Sequence, residues 1–212
     1  MDTIIQTLAR ELGVKEAYVN NVITLIDERN TIPFIARYRK ELHGSMDDQV
    51  LRTLADRLEY LRGLEERKAA VKKAVGEQGK LTDELSAAID AATTLAEVED
   101  LYRPYKQKRR TRATAAREKG LEPLAQLLFA QERNCPRPEE AARDFIDPDK
   151  GVETIADALQ GAHDITAEWI SDDAAIRKAL REHTLRPGKL VSKAATGEDT
   201  VYRLYYDFQQ PI

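Results

Sequence analysis

The residues whose types and spacing could do chemistry are concentrated between Leu101 and Gly120, LYRPYKQKRRTRATAAREKG. Eight of them are basic, Arg103, Lys106, Lys108, Arg109, Arg110, Arg112, Arg117 and Lys119, and one, Glu118, is acidic. With 33 lysines and arginines in 212 residues, the 17-residue span 103–119 should hold two or three, so average composition does not make this island. Its charge of +7, in a chain of net charge −4, leaves −11 on the remainder. A basic island on an acidic body implies an anionic partner.

Tyr102 and Tyr105 flank the first cations, where their rings can offer stacking faces. Pro104 disfavours helical backbone at Arg103, so the island should open as an extended segment. Thr111 or Thr114 can cap a following helix that ends near Gly120. Arginines beside the unpaired N–H groups of a helix start suit a phosphate. The chemistry in prospect is the holding of anions, above all the phosphate backbone of a nucleic acid. Two alternatives stand beside it: a solvated loop, or docking on acids of the same chain such as Glu97, Glu99 and Asp100.

Bond-making chemistry has no comparable signature. His43, His163 and His183 are isolated, with no second histidine or cysteine at ligand spacing, so neither a metal nor another cofactor is expected. Cys135, beside a proline, lacks an activating neighbour and reads as a packed or idle thiol. Phosphate-cradling and nucleophile-elbow motifs are missing. The acid pairs Asp47–Asp48, Asp147/Asp149 and Asp172–Asp173 stand at expected helix starts, where capping and the helix dipole account for them. No catalytic residue is expected, and the chain is not expected to be an enzyme.

The elements that must position the island are helical. Charged residues make up 33% and hydrophobic ones 42%, which suits a folded, surface-rich helical protein. No apolar run approaches the ~18–20 residues of a membrane span. The amphipathic start with its Asp2 is unlike a signal peptide, and the single cysteine fits a reducing cytoplasm. Ile4, Ile5, Leu8 and Leu12 form one helical stripe, and Val19, Val22, Ile23 and Ile26 a second, from Lys15 to about Asp27. Ala9, Gly13, Val19 and Val22 have the spacing of a helix-turn-helix. Glu16, Asn20, Asn21, Asp27 and Glu28 make the second helix too acidic to enter a major groove, so the pair reads as structural.

Asn30 to Gly44 should form a short helix with Phe34, Ile35, Tyr38 and Leu42 inward. Arg37, Arg39 and Lys40 form a smaller, secondary basic group around Tyr38, either solvated or a supplementary phosphate contact. Ser45 and Asp48 resemble a capping box, after which one helical pattern runs over about 46–79. Its Leu51, Leu54, Leu58, Leu61, Leu64, Val71 and Val75 face one way, and some 30 residues make a rod of about 45 Å. One neighbour cannot cover such a rod, so it reads as a spine. Shorter helices follow: one capped by Thr82 and one opened by Thr94 and Glu97, which delivers the chain to the island. Beyond it come Leu121 to about Ala130, a break at Asn134–Pro138, Pro138 to Phe145, Val152 to Ile170, and one capped at Ser171–Asp173. Val191–Ala195 and Val201–Phe208 look like two further short helices. The fold class is all-α, in three parts: 1–44, helix-turn-helix-like; 45–130, the long helix and the helices bearing the loop 103–119; and a helical 131–212.

TIPFIARYRKE at Thr31–Glu41 and LYRPYKQKRRTRATAAREKGLEPLA at Leu101–Ala125 resemble the Tex family, bacterial transcription accessory proteins related to a eukaryotic transcription elongation factor. LARELGV, ELHG and VYRLYYDF resemble it too, so the likeness covers essentially the whole chain. The family tends to have proline where Gln107 stands, which loosens the loop slightly and leaves its charge intact. The resemblance implies a helical N-terminal region of a longer cytoplasmic protein that continues into RNase H-like, helix-hairpin-helix and RNA-binding OB-type domains, none expected in this chain. Because nucleic-acid binding in the family is attributed largely to the OB-type domain, the resemblance implies a region that is scaffold more than binder.

Three readings follow. In the first, Tyr102, Arg103, Tyr105, Lys106, Lys108, Arg109, Arg110 and Arg112 contact RNA or DNA phosphates without reading bases, in the service of transcription. In the second, the island docks on an acidic protein surface, a neighbouring domain or the transcription machinery. The third, a remnant enzyme domain, has no residue to support it. No membrane partner is expected.

Overall fold

The structure, a computed structural model, describes residues 3–107, 109–133 and 135–212; Asp2, Lys108 and Asn134, named above, lie outside them. The chain forms two compact units, Met1–Glu99 and Asp100–Ile212. Helices dominate both, and among the described residues none is long and apolar enough to cross a membrane.

In the first unit, α1 (Ile4–Leu12) opens on a capping box between Thr3 and Gln6 and stops at Gly13, where φ is +66°. α2 (Glu16–Asp27) packs back on it through Ala9, Val19 and Val22, the residues whose spacing predicts the pair. Its polar face is used internally: Asn21 donates to the Leu42 carbonyl at 3.0 Å, and Asp27 takes both guanidinium nitrogens of Arg62 at 2.7 and 2.8 Å. α3 (Ile32–Tyr38) and α4 (Lys40–His43) lead to the spine α5 (Asp48–Glu77). The expected capping box at Ser45 is not formed. Gly44 and Ser45 both have left-handed backbone, which moves the helix start onward, and Asp47 caps it by accepting from Val50 N at 2.8 Å.

All seven predicted apolar residues of α5 are buried. α1, α2 and α3 pack on it, as does α6 (Asp83–Ala91), capped by Thr82 as expected. Lys68 lies within the apolar stripe yet is only 5% exposed. Its ammonium bonds Glu65 at 2.9 Å and the Asp90 carbonyl at 3.1 Å, so the buried charge is partnered. α7 (Leu95–Tyr102) carries the chain into the second unit.

That unit holds α8 (Arg112–Glu118), α9 (Glu122–Ala130), α10 (Pro138–Ala142), α11 (Ile155–Asp172) and α12 (Ala174–Leu185). α11 is its axis. Ala113 and Ala116 of α8, Leu121, Leu124 and Ala125 at and in α9, and Ala158, Ala162 and Ile165 of α11 make one buried cluster. Small residues bring the helices close, most of all at Gly161, where a Cβ would lie 3.3 Å from that of Ala116 and nearer still to Leu121.

The helices expected over 191–195 and 201–208 are not formed. Instead β1 (Lys189–Lys193) and β2 (Asp207–Pro211) pair antiparallel, Val191 opposite Gln209, with a single 3₁₀ turn at Arg203–Tyr205 between them. Five-residue strands carry too few residues for a period of two to show, and their backbone partners lie 14 to 22 residues away.

Candidate nucleic-acid interface

The island begins where α7 ends. Arg103–Tyr105 is a 3₁₀ turn continuing from α7, not the extended segment expected at Arg103. Pro104 falls within the first two positions of that turn, where its missing N–H removes no bond, so helical backbone survives. The loop then runs through Lys106, Gln107, Arg109 and Arg110 to Thr111; Lys108 is outside the described residues. Thr111 caps α8, accepting from Thr114 N at 3.1 Å, one of the two caps the sequence offers.

Arg103, Arg110, Arg117 and Lys119 are engaged within the unit. Arg103 Nε lies 3.1 Å from Asp172 Oδ1, and Arg110 Nη2 lies 2.6 Å from Glu118 Oε2. Arg117 reaches Glu168 at 2.7 Å and Glu122 at 3.4 Å. Lys119 donates to the Gly151 carbonyl at 2.8 Å. Partial burial works against the charge on Arg117, but its hydrogen bonds to Glu168 and Glu122, with the charge of those carboxylates, outweigh it and raise its pKa above the ordinary value. Arg109 and Arg112 differ: both are exposed, and neither has an ion pair among the described residues. Lys106 is exposed beside them, whereas Tyr102 and Tyr105 are half-buried rather than displayed.

The helix start does not supply the expected anion seat. Thr111 Oγ1 donates to Glu168 Oε1 at 3.0 Å, so a carboxylate already faces the first turn of α8. The adjoining open cavity of about 580 Å³ mixes Lys106 and Arg117 with Glu168, Asp172 and Asp173, a lining that favours no anion. What remains for a phosphate is the outer edge, Arg109 and Arg112. Thr111→Ala should lower the stability of this unit by about 1–2 kcal/mol in urea unfolding, because cap and carboxylate bond go together. An unchanged midpoint would show that the Thr111 hydroxyl does not hold α8.

The acids suggested as internal partners are otherwise engaged. Glu99 is bound by Arg67 at 2.5 Å, and Glu97 accepts from Thr93 N at 2.8 Å. Asp100 is clasped by Arg177 at 2.6 Å and by two nitrogens of Arg181. Two of the acids that do answer the island, Glu168 and Asp172, lie on α11, more than fifty residues along the chain from Arg117 and Arg103, and no local signal points to them.

The secondary group lies in the first unit. Arg37 lies in the last turn of α3, Arg39 joins α3 to α4 and Lys40 begins α4; all three are exposed. Phe34 and Tyr38 do not face inward as expected. They are 36% and 57% exposed, and of α3 only Ile35 is fully buried. A seven-residue helix needs one apolar anchor against α5, and Ile35 supplies it.

The remaining candidates for chemistry stay apart. His43 is buried with neither ring nitrogen hydrogen-bonded, while His163 and His183 are exposed. Cys135 Sγ lies 3.7 Å from the Leu127 carbonyl. Among the described residues, no three His, Cys, Asp or Glu side chains are grouped to hold a metal ion.

Comparison with known proteins adds the following. Residues 2–76 match the family described as Tex-like protein N-terminal domain, and residues 134–212 that described as Tex central region-like; the island lies between the two. Over 212 residues the chain is 45% identical to Protein tex of Bordetella pertussis and 42% identical to the transcriptional accessory protein Tex of Neisseria gonorrhoeae. The alignments cover 99% of this chain and 26% and 28% of those proteins. It is 33% identical over 172 residues to the human S1 RNA-binding domain-containing protein 1, covering 80% of this chain and 17% of that protein. The chain thus spans under a third of the length of the relatives it matches.

Proposed function

The chain belongs to the Tex family, and from that premise we propose that it is the N-terminal helical region of a cytoplasmic transcription accessory factor, contributing sequence-independent nucleic-acid binding. One observation carries the reading: Arg109 and Arg112 stand exposed at the edge of the island with no carboxylate partner among the described residues. Two unneutralised guanidiniums beside Lys106 attract phosphate oxygens by charge and by fork-like N–H donation, and neither feature distinguishes one base from another. Relatives named for transcription and for an RNA-binding domain are consistent with that partner. Arg103, Arg117 and Lys119 brace the loop against α11 and the chain preceding it, and the spine α5 serves as scaffold for the first unit. The region itself is non-catalytic on this reading, so a nuclease screen with added Mg²⁺ should be blank.

The test is fluorescence anisotropy of labelled single-stranded and duplex oligonucleotides at 50 and 200 mM salt. Affinity should fall steeply with salt. R109E/R112E should weaken binding at least tenfold at the lower salt, about equally for every sequence, and flatten the salt dependence. Binding indifferent to salt, or unchanged in that variant, overturns the reading.

A second reading rests on the internal neutralisation of Arg103, Arg110 and Arg117, which leaves a narrow cationic edge. Such an edge also suits an acidic protein surface. In that case the chain shifts no nucleic acid at low salt, yet loses protein partners in R109E/R112E.

A further inference from the structure

Exposed aromatic side chains on a short helix need an explanation, because each leaves in water a surface that folding normally removes from it. Phe34 and Tyr38 sit four residues apart on α3, hence one above the other, with ring centroids 5.2 Å apart and planes inclined at 45°. Both are exposed, while the opposite side of α3 packs through Ile35 toward α5. Cations frame them. The Arg39 guanidinium carbon lies 5.6 Å from the centre of the Phe34 ring, and that of Arg37 lies 6.0 Å from the Tyr38 ring. Neither arginine nor Lys40 has an ion pair among the described residues.

We propose that Phe34 and Tyr38 form a stacking platform for the bases of single-stranded nucleic acid, with Arg37, Arg39 and Lys40 placed for its phosphates. The pairing of ring faces with unneutralised guanidiniums decides the chemistry. Single strands present unstacked π-faces and phosphates together, so one short segment satisfies both sets of groups. A duplex hides its base faces and leaves the rings unused. An acidic peptide answers the charge, but only an aromatic-bearing one answers the rings. This surface is on the Met1–Glu99 unit and is independent of the island at Arg109 and Arg112.

The experiment compares three probes on the full 212-residue chain: a single-stranded oligonucleotide, an abasic strand of equal length, and a duplex. F34A/Y38A should weaken the base-bearing strand about tenfold and leave the abasic strand and the duplex unchanged. Tyr38→Leu, which keeps apolar bulk without a π-face, should give an intermediate loss and guards against misfolding as the cause. A strand bearing 4-thiouracil should photo-crosslink within Phe34–Arg39. An equal loss on base-bearing and abasic strands, no loss at all, or no crosslink in that stretch overturns the platform, as does displacement only by an acidic aromatic peptide. R109E/R112E alters phosphate attraction for all three probes alike, so failure of the island and failure of the platform are told apart.

Discussion

Gly44→Ala lowers the stability of the Met1–Glu99 unit by about 2–5 kcal/mol in denaturant unfolding. Gly44 ends α4 with φ at +62°, a backbone region in which a side chain costs about 1–2 kcal/mol. A second cost adds to it: a Cβ at Gly44 would lie 2.6 and 2.8 Å from Cδ2 and Cζ of Tyr18, and nearer still to Cε2. The ring would have to leave its place against the α4–α5 corner, and overpacking of this kind costs about 1–3 kcal/mol. A double-mutant cycle separates the two. In a Tyr18→Ala background, Gly44→Ala should lose only the backbone share, about 1–2 kcal/mol. If the loss is the same in both backgrounds, the close approach of Tyr18 contributes nothing. The corner ends α4 and precedes the start of the spine at Asp48.

Asp100→Ala destabilises the Asp100–Ile212 unit by about 2–3 kcal/mol. The carboxylate is 5% exposed and receives Arg177 Nε at 2.6 Å and Arg181 Nη1 at 2.8 Å, tying the end of α7 to α12. Its removal strands two guanidiniums, but both are about a third exposed, so water takes up part of the loss and the lower end of the range for broken buried pairs applies. Burial alone would push the Asp100 carboxyl up; hydrogen bonds from Arg177 and Arg181 outweigh it and hold the carboxyl below the usual carboxylate range. A folded-state value below the unfolded one contributes stability that is fully present above the unfolded value, near pH 4, and lost as pH falls through the folded value. The parent protein should therefore lose stability more steeply than Asp100→Ala as pH drops below about 4. Parallel pH profiles for the two proteins would show that the clasp is not what sets Asp100.

The extent to which this protein was legible follows the range of each interaction. Periodicity alone placed the α5 stripe from Leu51 to Val75, because residues three and four apart share a helix face whatever lies against it. Thr82, Thr111 and Asp173 were recognisable as caps, since each hydroxyl or carboxylate reaches an N–H three residues on. The cation density of the island and the Tex-like motifs are likewise written along the chain.

The sequence could not say which of those cations remain open. Glu168 and Asp172 meet Arg117 and Arg103 only because α11 packs on α8 through Ala116, Leu121 and Gly161, so the choice between a braced guanidinium and an exposed one is made by helix packing. The same holds for Phe34 and Tyr38, apolar by type yet outward, and for the 189–211 hairpin, whose backbone bonds need a partner strand. Residue types and local spacing therefore determined an all-α scaffold with a concentrated positive charge. Tertiary packing decided where that charge faces water, because an ion pair between distant helices exists only once their axes are set, and nothing within four residues encodes that distance.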